Sequence, residues 1–214
     1  MTAEPPQITF DGPQDGPVLA LAHGAGVGMD SPFMAAMAEL LAARGVRVAR
    51  FEFGYMAERR AGGKKRPPPA QNTLLAEFRA VIDALGGPGS VVVGGKSMGG
   101  RMASLLAADQ EQTDQPVAGV VALGYPFHPP GKPEKLRTEH LQALATSMLV
   151  CQGERDPFGT AEEVATYPLS AAVQLTCLPD GDHDLKPRKS SGYSAETNWA
   201  TAADTVAAFL RGHT

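Results

Sequence analysis

The chain is poor in cysteine, in aromatic residues and in net charge. Only two of its 214 residues are cysteine, and Cys151 and Cys177 each lie inside an apolar, strand-like run. A thiol in that setting acts as a small buried hydrophobe, so both are read as packing residues. A formal net charge of -4 supplies no overall positive field, which argues against nucleic acid as a general partner. No apolar run approaches the roughly 20 residues that cross a bilayer, so no membrane partner is expected. The opening residues, MTAEPPQ, are neither basic nor apolar, and with no export signal the expected location is the cytoplasm.

Hydrophobic residues make up 43% of the chain and charged residues 20%, the balance of a packed domain rather than a disordered segment. The length predicts one domain over 1–214. Short β-branched runs alternate with longer segments of helical period, the pattern of parallel strands joined by crossover helices on both faces of a sheet. Seven strands are expected: Ile8 to Phe10, Val18 to Ala22, Val46 to Phe51, Val91 to Gly94, Val117 to Leu123, Met148 to Gln152 and Val173 to Leu178.

Ser31 before Pro32 predicts an N-cap and a first-turn proline, opening a helix that Gly45 stops. Further helices are expected to begin after Asn72 and end before Gly86 and Gly87, to run from Ser97 through Ala107, and to start at Thr160 and at Ser194. In the last, Trp199, Ala203, Val206 and Leu210 share one face. Two stretches rich in proline and glycine, Gly54 to Ala70 and Gly124 to Lys135, read as loops. The first carries Arg59, Arg60, Lys64, Lys65 and Arg66; a solvated loop is the preferred reading, with an anion site as the alternative.

The segment VVVGGKSMGGRMASLLA places Gly-x-Ser-x-Gly, residues 95–99, between an apolar strand and a helix-forming run. A serine on so sharp a turn holds its hydroxyl above the sheet, and the flanking glycines avoid collisions that side chains would make. The new helix brings free N–H groups and a positive dipole end to the same place, where they favour charge developing on a carbonyl oxygen. A phosphate-binding loop is the rival reading of GGKS, but its register needs glycine at position 90, which is Ser90.

A serine hydroxyl needs a base, and the base needs an acid to fix its tautomer. Asp156 in QGERDPFG and His183 in PDGDHDL each follow a late strand, at the sheet edge where parallel sheets bind ligands. Ser97, Asp156 and His183 are the candidate catalytic residues. Glu154 competes with Asp156 as the acid, while Asp180, Asp182 and Asp184 sit too close in sequence to His183. The glycine-rich turn LALAHGAGVGMD offers backbone amides. Ala25 and Met98 are the expected oxyanion donors, with Gly26 second to Ala25, and His23 is expected to brace the turn. Gly26, His128 and Lys96 are the candidate substrate contacts.

With these residues in place the chain resembles an α/β-hydrolase, and more narrowly the small dienelactone-hydrolase-like proteins whose elbow reads G-K-S-M-G-G-R. The strings HGAG, GGKSMGGRM, GYPFHPPGKPEKLRTEHL and QGERDPFG are similar to a bacterial subfamily related to testis-expressed eukaryotic homologues. The resemblance implies an α/β-hydrolase fold: a mostly parallel central sheet of about seven strands, helices on both faces and no large lid domain. It implies a serine esterase or thioesterase acting on small soluble substrates, with no metal and no organic cofactor. True dienelactone hydrolases carry a cysteine nucleophile where Ser97 stands, so their substrate is not inherited. One eukaryotic branch serves in a chromatin-modifying complex, which makes a non-catalytic binding protein the alternative. No oligomeric state follows from the sequence.

Overall fold

The computed structural model describes residues 7–213. The first six residues, on which the expected absence of an export signal partly rests, lie outside the described residues. Seven strands form one sheet in the order β1-β3-β2-β4-β5-β6-β7. They are β1 (Ile8–Asp11), β2 (Val18–Ala22), β3 (Arg47–Phe51), β4 (Val91–Lys96), β5 (Gly119–Leu123), β6 (Met148–Gly153) and β7 (Val173–Leu178). Only the edge strand β1 runs antiparallel, pairing Ile8 with Phe51; every other neighbouring pair is parallel.

Burial explains why these strands read as unbroken apolar runs rather than alternating ones. β4, β5 and β6 are buried at every position, because helices cover both sheet faces. One face packs Met34, Met37 and Leu41 of α1 (Pro32–Ala42) and Ala203, Val206 and Leu210 of α6 (Ala195–Arg211) against Leu19, Val92, Val121 and Leu149. The other sets Phe78 and Ile82 of α3 (Gln71–Ala84) and Met102 and Leu106 of α4 (Met98–Gln110) against Ala20, Val93, Val120 and Val150.

The helix signals are followed with instructive differences. Pro32 does open α1 after Ser31, but the Ser31 hydroxyl makes no cap bond and is left buried without a partner. Thr160 caps the one-turn α5 (Ala161–Val164) in a reciprocal box with Glu163, and Ser194 accepts from the Thr197 N–H at the start of α6.

The stretch expected as a loop from Gly54 is corrected: α2 (Gly54–Arg60) is helical, anchored by buried Tyr55 and Met56. Two apolar residues in a glycine- and arginine-rich context are too few to show a helical period. The Gly124–Lys135 stretch has no helix or strand, as expected, yet Tyr125, Phe127 and His128 are buried within it. Among the described residues no helix is long and apolar enough to cross a membrane.

Candidate active site

The site lies across the carboxyl ends of β2, β4, β6 and β7, because each of these parallel strands delivers its following loop to the same edge. Ser97 follows β4 directly, with φ of 52° and ψ of −115°, a left-handed conformation that a side-chain-bearing residue rarely adopts. The turn is tight for a visible reason. A methyl group at Gly95 would lie 2.5 Å from the carbonyl carbon of Gly99, and one at Gly99 would lie 2.5 Å from the Ala22 carbonyl oxygen. Only hydrogen fits at either place, so the sequence spacing is a packing requirement.

Ser97 Oγ donates to His183 Nε2 at 2.8 Å, and His183 Nδ1 donates to Asp156 Oδ2 at 2.8 Å. Asp156 is completely buried and further held by the Phe158 N–H on Oδ1 and the Gln152 amide on Oδ2. Its competitor Glu154 is turned elsewhere, accepting from the Asp180 N–H at 2.8 Å. Of the aspartates near His183, Asp182 accepts the Asp184 and Lys186 N–H groups, shaping the loop, while Asp180 pairs with Arg155 and Arg188.

The loop after β2 faces this trio. A methyl at Gly24 would lie 3.7 Å from Ser97 Cβ. The N–H groups of Ala25 and Met98 have no hydrogen-bond partner among the described residues, and Met98 opens α4, where the helix dipole is positive. His23 is wholly buried, donating from Nδ1 to the Gly24 carbonyl and accepting the Phe53 N–H on Nε2. Burial holds its pKa below the ordinary histidine value, which keeps the ring neutral, the form that can accept. Tyr55 hydroxyl fixes the Ala25 carbonyl at 3.0 Å, and burial pushes this phenol up to about 12, so it remains a donor.

Ser97, His183, Gly24 and Ala25 border a cleft of about 370 Å³, also lined by Gly26, Phe33, Lys96, Phe158 and Asp184. Gly26 and Lys96 thus line the same cleft as Ser97. His128 does not, and that expectation is corrected. The chain after β5 turns inward, burying Phe127, and the His128 N–H binds the Phe158 carbonyl while its ring faces Glu163 at 3.5 Å.

Arg60 is forked onto Glu52 and Asp30, Arg59 donates to the Gly26 carbonyl, and Arg66 pairs with Glu58, leaving Lys64 and Lys65 exposed.

Three contributors escaped the sequence reading. Phe158 lies against His183, ring centres 4.2 Å apart; Phe33 lines the cleft from α1; and buried Gln152 bridges Asp156, Tyr125 and Gly159. The signal for Phe158 was its place two residues beyond Asp156. For Gln152 it was an amide ending an otherwise apolar strand.

Solved structures share this architecture. A thermophilic esterase from Thermogutta terrifontis superposes with a TM-score of 0.69 at 20% identity, covering 100% of this chain and 97% of that one. The dienelactone hydrolase from Anabaena variabilis gives 0.67 at 20% identity over 96% and 92%. Est1E from Butyrivibrio proteoclasticus gives 0.67 at 14% over 96% and 94%. At such identities the likeness is one of fold. The family described as the alpha/beta hydrolase domain matches residues 15–211, nearly the whole chain, and the protein belongs to it.

Proposed function

We propose that the protein is a serine hydrolase that cleaves small, soluble carboxylic esters through an acyl-enzyme on Ser97. The observation that carries this reading is the unbroken relay from Ser97 Oγ through the His183 ring to the buried Asp156 carboxylate, two contacts of 2.8 Å each. Ser97 attacks the ester carbonyl carbon as its proton passes to His183 Nε2. Asp156 holds the ring in the tautomer with hydrogen on Nδ1 and stabilises the imidazolium that forms.

Negative charge on the carbonyl oxygen meets the Ala25 and Met98 N–H groups, donors that need no rearrangement when the charge appears. The tetrahedral adduct collapses, and the leaving alcohol takes the proton from His183. Water then gives its proton to the same nitrogen, attacks the acyl carbon and releases the acid with Ser97 restored. The cleft's modest volume and the short segment after β5 favour compact substrates over lipid aggregates.

Hydrolysis of short-chain nitrophenyl esters tests the reading. The wild type should turn them over, with kcat falling by about 10⁴ or more in Ser97→Ala and in His183→Ala. Turnover unchanged in Ser97→Ala would refute it.

A further inference from the structure

The hydrolytic scheme leaves one buried charge in the cleft without a task. Lys96, the last residue of β4 and the neighbour of Ser97, is only 5% exposed. Its ammonium carries three donors. Among the described residues its one ion pair is with Asp184 Oδ1 at 3.4 Å, longer than the roughly 2.8 Å of a charge-assisted hydrogen bond. The ring of Phe33 lies beneath it at 5.5 Å. Burial lowers its pKa from the usual lysine value, against the opposing pull of Asp184, Asp156 and Asp182.

The partner of that long pair is replaceable. Asp184 is 46% exposed and also faces Lys186, itself 44% exposed, at 3.9 Å. It can therefore exchange Lys96 for water and Lys186 when another anion arrives. The ammonium also lies on the Gly124 side of the His183 ring: a methyl at Gly124 would lie 3.3 Å from both Lys96 Nζ and His183 Nδ1. Lys96 and Asp184 line the same cleft as Ser97.

We propose that Lys96 is a carboxylate-binding subsite, and that the preferred substrates are short half-esters of dicarboxylic acids whose free carboxylate displaces Asp184 from the ammonium. This rests on the serine-hydrolase reading and deepens it. It moves anion recognition away from the arginines after β3, which are committed to Glu52, Asp30 and the Gly26 carbonyl. The competing role for Lys96 is structural: through Asp184 it would only brace the loop that carries His183.

The two roles separate in a specificity ratio. Compare kcat/KM for nitrophenyl hemisuccinate with that for the uncharged nitrophenyl methyl succinate. Lys96→Met should lower the charged-to-neutral ratio about tenfold to a hundredfold, and Lys96→Arg should retain much of it. Asp184→Asn should raise the ratio several-fold, because the competing carboxylate is gone. A brace alone predicts that both esters suffer alike, so an unchanged ratio in Lys96→Met and Asp184→Asn overturns the proposal.

Wild-type protein supplies a check that needs no variant to fold. Succinate should protect Ser97 from a fluorophosphonate at concentrations at least about tenfold below those of succinamide, the fold-change expected of one charge-assisted contact; equal protection overturns the proposal. Labelling also keeps the two claims apart. An unlabelled wild type defeats the hydrolase reading, and this proposal with it, whereas a labelled wild type with an unchanged ratio defeats this proposal alone.

Discussion

The His23 ring donates to the Gly24 carbonyl at 2.7 Å, and through that bond it sets the direction of the next N–H, that of Ala25. In a trans peptide the carbonyl and the N–H point opposite ways, so drawing the oxygen into the core turns the N–H away from it. The ring is itself located by the Phe53 N–H on Nε2, which ties the loop after β2 to the end of β3.

His23→Leu should therefore lower kcat by about tenfold to a hundredfold, short of the full loss of an oxyanion donor, with KM little changed. His23→Asn, whose amide can still reach the Gly24 carbonyl, should recover part of that loss. Steady-state kinetics on a neutral nitrophenyl ester checks both; equal losses in the two variants would assign His23 to packing alone.

Gly99 of the elbow and Gly26 of the loop after β2 should respond differently to one added methyl. At Gly99 that methyl would sit 2.5 Å from the Ala22 carbonyl oxygen, while at Gly26 nothing lies within 4 Å. Gly99→Ala should destabilise the fold by about 1–3 kcal/mol or prevent folding, and Gly26→Ala should stay within about 0.5 kcal/mol. Urea denaturation of the pair distinguishes this from a uniform tolerance.

Asp156 and Glu154, two residues apart, differ in every contact that matters. Asp156→Asn should reduce kcat by about 10⁴, since an amide cannot hold the ring tautomer that accepts from Ser97. Glu154→Gln should cost far less, because its carboxylate only accepts from the Asp180 N–H. A greater loss in Glu154→Gln would reverse the assignment.

Acid should weaken the fold partly through His140. Burial takes its pKa from 6.5 down to about 4, with the Arg101 charge adding to the effect, while Nε2 is joined to Ser104 Oγ at 2.8 Å. Below 6.5 the unfolded chain gains a proton that the folded chain refuses, so stability falls as pH drops from 6.5 toward 4. Denaturation curves across that range should show a shallower decline in His140→Gln than in the wild type. Parallel declines would remove His140 from the acid response.

The sheet was readable from the sequence because strands buried on both faces leave unbroken runs such as Val91–Val93, and the elbow because its glycines are sterically required. What escaped is non-local. The helical state of Gly54–Arg60 depends on Tyr55 and Met56 meeting the core, not on a period within the segment. His128 follows a strand, a position that predicts a place in the pocket, yet the chain turns inward there and buries it beside Phe127. Gln152 and Phe158 act on Asp156 and His183 through contacts that only the folded loops create.

Fluorophosphonate labelling followed by peptide mass mapping reads out the Ser97 nucleophile itself. One adduct is expected on Ser97 in the wild type, none in Ser97→Ala, and slow labelling in His183→Ala. An equal adduct in wild type and Ser97→Ala, or no adduct on folded wild-type protein, would contradict Ser97 as the nucleophile.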